Sequence, residues 1–327
     1  MASHRFHPTK LRVLLLMAAT MSLLAGLHGA ALAQAAVVGI LEGRATLLRP
    51  TGKLELAEGV LLREADIIET APAAFAQIEL ADGVRIGVGE SSRLMLMPEG
   101  APTAANPARA RLLQGWMKLT SGPDKPLAGD FITPRAAIGS LSGTCVVNAD
   151  AAQFALFVEN GSIAFTERGT GAPSRQMKAG DFLSGRSGSG LAASGRPAPE
   201  FVERMPRLFR DALPARAAKF RDRTVTPRAL GEVNYDEIAA WLQLEEAIRV
   251  PMIGRWRVRL ADKAFRDAVL AHLPQHPEWR PLVVPPKKPE PKPRIAEKPA
   301  ERTPDRAREK TADRFVEPPA EPASAPP

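Results

Sequence analysis

The sequence predicts a mainly β protein. A domain of short antiparallel strands covers residues 34–184, a small α-helical domain covers 200–284, and a disordered Pro-rich tail covers 285–327. Three observations predict this order. Apolar residues between Val37 and Phe165 alternate with polar ones in period two, as on half-buried strands. An acidic or amide residue followed by glycine punctuates the runs at Glu42-Gly43, Asp82-Gly83, Gln114-Gly115 and Asn160-Gly161. Beyond Pro199 the apolar period lengthens to that of a helix.

Residues 1–33 read as a Sec-type signal peptide. Arg5, Lys10 and Arg12 precede an apolar run over 13–27, and Ala31-Leu32-Ala33 forms a small-x-small cleavage site. The alternative is an uncleaved anchor, since residues 13–33 approach the length of a membrane span. No later segment carries such a run, so the expected location is periplasmic or secreted, with no transmembrane span beyond the leader. The formal net charge of +8 includes +3 from the leader, and basic residues elsewhere interleave with acidic ones. Nucleic-acid binders gather basic residues on one face, so no nucleic-acid partner is expected. Cys145 is the only cysteine, which excludes an internal disulfide. Its β-branched, apolar surroundings predict a buried, inert thiol.

Within the first β half, Ala76, Ile78 and Leu80 alternate with Gln77 and Glu79, and Val84, Ile86 and Val88 continue the pattern. Asp82-Gly83 predicts a two-residue type I′ hairpin, in which both residues take positive φ. Residues 98–109 read as a loop. The second half starts with Leu113, Trp116, Met117 and Leu119, and continues through Phe131, Ile132 and Ile138. Val146-Val147 and the runs 154–158 and 163–165 read as further separate strands, with Gly180-Asp181 before a last one. Residues 185–199 read as a Gly/Ser/Pro linker.

In the helical region, Phe201, Met205, Leu208, Phe209 and Leu213 share one face, interrupted by Pro206 and ended by Pro214. Asn234 with Glu237 predicts a capped helix carrying Ile238, Trp241, Leu242 and Ile248. Asp262 opens another, with Phe265, Val269, Leu270 and Leu273 facing inward. The tail holds twelve prolines among its ten basic and eight acidic residues, too little apolar surface to offset chain ordering. It reads as an extended spacer.

Chemistry is sparse. His272 and His276 stand at the i,i+4 spacing of a metal pair, but Pro274 and Pro277 predict a helix end with surface histidines instead. Gly185 to Gly190 lacks the Gly-Lys-Ser/Thr end of a phosphate loop, and no Gly-x-Ser-x-Gly elbow precedes a helix. Asp66, Asp82, Asp130 and Asp181 suit turns, where aspartate mimics a backbone turn. Trp116 reads as a core residue. No catalytic, cofactor-binding or metal-ligating residue, no cofactor and no enzymatic activity are expected.

The residues Gly43, Arg49, Gly59, Asp66, Ile78, Asp82-Gly83 and Ile86 stand in an order that resembles the FecR-like domain. That domain is the periplasmic part of iron-citrate-type sigma regulators. Gly143-Thr144, Gly161 and Gly180-Asp181 extend the resemblance, over residues about 37–184 in all. It implies that these glycines, Asp66, Asp82, Thr144 and Asp181 shape turns and strands, and that the chain is a non-catalytic binding or signalling module. Its implied partner is an envelope protein or a cell-wall polymer. A cell-wall-binding scaffold, with the tail bridging layers, is the alternative. Two departures matter. Ala65-Asp66 stands where the family has Gly-Asp, which predicts one altered turn. Only twelve residues precede the apolar run, so neither an anti-sigma segment nor direct control of a sigma factor is expected.

Overall fold

The computed structural model describes residues 36–97, 108–121 and 129–284. The expected signal peptide, most of the expected loop at 98–109 and the Pro-rich tail lie outside the described residues. In chain order the strands are β1 (Ala36–Glu42), β2 (Ala45–Arg49), β3 (Gly52–Glu55), β4 (Leu61–Leu62), β5 (Ile67–Thr70) and β6 (Phe75–Leu80). They continue as β7 (Arg85–Val88), β8 (Arg93–Leu96), β9 (Ala108–Thr120), β10 (Asp130–Ile132), β11 (Ala136–Ala149) and β12 (Gln153–Glu167). The last are β13 (Arg175–Lys178), β14 (Phe182–Arg186), β15 (Ala192–Ser194) and β16 (Arg228–Glu232). The helices are α1 (Pro199–Arg204), α2 (Tyr235–Leu242), α3 (Glu246–Trp256), α4 (Lys263–Ala271) and α5 (Arg280–Val283). The protein is thus strand-rich, with its helices at the carboxyl end, as the sequence predicts.

All described strands join one hydrogen-bonded sheet, antiparallel except where β10 runs parallel to β9. The long strand β9 is its pivot. Arg111 and Leu112 pair with β8, whereas Met117 to Thr120 pair with β7 on one side and β11 on the other. The branch falls at Gly115, whose φ of 99° opens the backbone against Ser92. Ser92 Oγ accepts the Trp116 N–H at 2.8 Å and so secures the corner. A second corner lies where Gly143 of β11 faces Gly161 of β12. A Cβ on Gly161 would strike the Ser142 carbonyl, so only a bare backbone passes there.

Gln114-Gly115 and Asn160-Gly161 are therefore bends inside continuous strands, and the runs expected as separate strands at 154–158 and 163–165 are one strand, β12. The Asp82-Gly83 turn also differs from expectation. Gly83 N–H bonds the Leu80 carbonyl at 2.9 Å and only Gly83 has positive φ, so the hairpin is a three-residue loop closed by a left-handed glycine. Asp82 instead turns its carboxylate onto the Val84 N–H at 3.2 Å.

One apolar core takes residues from nearly every strand, among them Leu47, Ile68, Ile78, Ile86, Leu112, Phe131, Cys145 and Phe154. Two further clusters lie outside it, where the chain after residue 198 covers the sheet. Phe201, Met205, Leu208 and Phe209 pack on Ile40, Phe75, Trp116, Val146 and Phe182. Trp241, Trp256, Phe265, Val269 and Trp279 pack on Leu48, Ile67 and Met95. The capping box expected at α2 is present, with Glu237 N–H on Asn234 Oδ1 at 3.1 Å and Asn234 N–H on Glu237 Oε2 at 2.9 Å. Asp262 caps α4 through the Phe265 N–H at 2.9 Å. The segment read as a linker carries β15, paired with β14. The region read as helical also supplies β16, which pairs with β3.

Candidate functional site

The candidate site is a groove on the outer face of β6, β7 and β9. Period-two alternation sends Ile78 and Ile86 into the core and Gln77, Glu79 and Arg85 outward. Gln77 and Glu79 are nevertheless only 4% exposed each, because residues 206–217 lie over them. Beyond its apolar packing, this strap is held by sheet side chains that bond its backbone. Gln77 Nε2 donates to the Pro214 carbonyl and Arg85 Nη1 to the Leu213 carbonyl, each at 2.9 Å. Lys118 donates to the Phe209 carbonyl. Glu79 accepts the N–H groups of Arg216 and Ala217 at 2.6 and 2.8 Å, and the Gln77 amide at 3.1 Å. These donors satisfy a carboxylate that is costly to bury unpaired.

At the other end of the groove, Phe209 fills an aromatic slot. Its ring meets Phe75 edge-on at 6.0 Å and Trp116 at 6.4 Å. Gly87 of β7 and Gly89 just after it leave the floor of the groove bare. A Cβ at Gly87 would stand 3.3 Å from the Phe209 ring, and one at Gly89 2.8 Å from Pro206. Gly39 of β1 likewise makes room, since a Cβ there would collide with the Glu79 carboxylate. Beside the strap a cavity of about 290 Å3 remains, reached by Thr120, Thr144, Asn160 and the Lys118–Glu159 ion pair. Nearby Cys145 is fully buried, and burial pushes its thiol up to about 12, so it has no nucleophilic role.

A second joint ties the helices to the sheet. Arg255 reaches from α3 to the carbonyls of Leu48 at 2.7 Å, Pro50 at 3.2 Å and Ala65. Burial pulls its guanidinium down to about 10, with Asp66 opposing that shift. Glu245 bridges Arg111 and Arg168 at the start of the same helix. Partial burial raises the Glu245 carboxyl, but its hydrogen bonds and the two arginines outweigh that and hold it below its ordinary value.

The residues singled out by sequence take architectural positions. Gly43, Gly59, Gly83, Gly143, Gly161 and Gly180 all have positive φ. Gly59 also makes room for the chain that follows the strap, because a Cβ there would stand 2.6 Å from the Phe220 ring. Asp66 is 2% exposed and forms a two-pronged ion pair with Arg49, with Nε to Oδ1 at 2.8 Å; it also accepts the Arg63 N–H at 2.8 Å. Asp82 binds Arg109. Its partial burial raises the carboxyl, but the bonds from Arg109 and the Val84 N–H win and hold it below the usual range. Asp181 accepts the Lys178 N–H at 2.9 Å. Thr144 alone of this set reaches the groove cavity. Trp116 is buried as expected, but in the layer beneath α1 and the strap. His276 corrects the expectation of surface histidines: it is fully buried, with Nε2 2.9 Å from the Tyr235 hydroxyl, because α4, α2 and Trp279 close around it. Among the described residues no group of three or more His, Cys, Asp or Glu could hold a metal ion.

Residues 66–164 match the FecR protein family. The FecR match starts at the buried Asp66 and ends inside β12, so it includes every groove residue from Phe75 to Asn160 and excludes the strap. Two crystal structures of a candidate anti-sigma factor from Parabacteroides distasonis ATCC 8503 are similar at 14% and 13% identity, each with a TM-score of 0.34. Each likeness covers 42% of this chain and 62% of the other, so the chain spans less than two thirds of those proteins. No curated protein matches the chain. Sequence reasoning missed Gln77, Glu79, Arg85 and Lys118 as groove residues. The one available signal was Gly87-Val88-Gly89, two bare positions on the outward face of a strand.

Proposed function

We propose that this chain is an exported, non-catalytic FecR-domain protein that serves as a periplasmic binding and signalling module for another envelope component. The FecR match supports a signalling regulator module. One observation carries the binding role: the outer face of the matched segment holds a length of irregular chain through Gln77, Glu79, Arg85 and Lys118. Side chains aimed at another chain's carbonyls and N–H groups are the apparatus of polypeptide recognition. Export rests on the leader-like residues 1–33. No helix among the described residues is long and apolar enough to cross a membrane.

Envelope fractionation followed by cross-linking from residues of the β region tests this reading. The expected result is recovery with the periplasmic or membrane-associated fraction and a discrete cross-linked partner. Recovery in the cytoplasm overturns the export, and the absence of any cross-linked species overturns the binding role.

A further inference from the structure

The strap lies on the sheet as a bound peptide would, not as a further strand. It enters no strand ladder, and among the described residues the chain between β15 and β16 bridges the sheet only beyond the strap, at Val225 beside Val60. Its own backbone bonds near the groove are local, such as Phe209 N–H to the Pro206 carbonyl at 2.9 Å and Arg210 N–H to the Arg207 carbonyl at 3.0 Å. Four sheet side chains follow its main chain, and the deep aromatic slot reads Phe209. Beside the strap the groove continues into the cavity lined by Thr120, Thr144 and Asn160 together with Leu208, Ala212 and Leu213 of the strap itself.

We propose that this groove is the docking site for a segment of a partner protein that makes one tight turn around an aromatic anchor, and that residues 205–217 are its resident occupant, displaced when the partner binds. The inference rests on the binding-module reading and names its site. The resident sets the chemistry of the partner segment. It carries proline or a small apolar residue at the Pro206 position and an aromatic at the Phe209 position. Its chain makes one 3-10 turn at the Arg207–Phe209 positions and runs irregularly beyond it, offering carbonyls to Lys118, Arg85 and Gln77 and N–H groups to Glu79. A polar side chain near the Ala212 position, longer than alanine, enters the cavity. That last contact matters energetically. A tethered segment acts at an effective concentration on the order of millimolar, so a partner needs contacts that the resident lacks, and the cavity provides them.

The test uses the full chain, as wild type and as Phe209→Ala, with a fluorescein-labelled synthetic peptide of residues 203–219 as probe. The Phe209→Ala chain is expected to bind the peptide at least about tenfold more tightly than wild type, whose resident competes. Ala212→Gln in the peptide is expected to tighten binding, and Phe209→Ala in the peptide to abolish it. A folded Phe209→Ala chain that ignores the peptide overturns the proposal. Hydrogen exchange on the wild-type chain provides a second reading that needs no variant. Amides of 205–217 are expected to exchange at least about 100-fold faster than those of β6, β7 and β9, by local release; equal rates overturn displacement. An envelope partner cross-linked elsewhere, with no peptide bound here, leaves the binding role standing and removes this groove from it.

Discussion

Arg255 donates its guanidinium to the carbonyl of Ala65, a residue whose own backbone is left-handed at φ 61°. The turn before Asp66 thus keeps the geometry that glycine would give, although alanine occupies it. Alanine there holds a Cβ in a strained region, at a cost of about 1–2 kcal/mol, against about 0.5–1 kcal/mol of extra chain entropy lost by glycine. Ala65→Gly is expected to stabilise the protein by about 0.5–1 kcal/mol. Urea denaturation checks this through a rise in midpoint at constant slope.

Asp66 and Arg49 form a pair that tolerates joint loss better than single loss. Asp66→Asn leaves the partly buried Arg49 guanidinium without its counter-charge, a cost of up to about 3 kcal/mol. Arg49→Met with Asp66→Asn removes both charges and is expected to cost less than Asp66→Asn alone. A double-mutant cycle from chemical denaturation gives the coupling.

Glu79 is expected to govern the carboxyl end of the strap. Glu79→Ala strips the acceptor from the N–H groups of Arg216 and Ala217, worth about 1.5–3 kcal/mol for bonds to a charged group. Limited tryptic digestion then accelerates after Arg216 and Lys219 while the sheet stays intact. An unchanged cleavage rate at those sites contradicts the assignment.

His276 predicts a loss of stability in mild acid. Burial holds its imidazole below the ordinary value, with His272 adding to the shift and Glu278 opposing it. Tyr235, His272, Glu278 and Arg249 are the titratable and charged groups around it. With the folded value depressed, the unfolded chain binds the proton more readily. The stability contribution is therefore complete above the unfolded value of about 6.5 and lost as pH falls through the folded one. The melting temperature is expected to drop between pH 7 and pH 5.5, and His276→Gln to flatten that drop, as scanning calorimetry reads directly.

Cys145 is expected to resist a thiol reagent such as dithionitrobenzoate at pH 8, because a thiol held at about 12 has almost no thiolate there. Reaction should follow global unfolding and reach one equivalent in denaturant. Rapid labelling of the native protein contradicts the burial.

What could be read from the chain in advance was local. The Asn234–Glu237 box and the Asp262 cap need only neighbours three positions away, and the alternation of Ile78 with Gln77 needs only the pleat. What escaped depends on distant partners. Gly161 reads as a turn until Gly143 stands opposite it, when it becomes a bend within one strand. Glu79 reads as a solvated face until residues 216–217 arrive, some 137 positions later, to cover it. His276 reads as a surface residue beside two prolines until Tyr235 and Trp279 enclose it. Polar residues on a strand do not announce that another part of the chain will lie over them.

The pairing of β3 with β16 has a consequence for biogenesis. Arg228 meets Glu55 across 173 positions of chain. At the usual ribosomal pace of about 5–20 residues per second, that separation delays closure by roughly 10–35 s. Throughout that interval the flank of β3 is an open template for any strand that passes. Truncations upstream of residue 228 leave that flank unpaired for good and are expected to aggregate even when every matched FecR residue is retained.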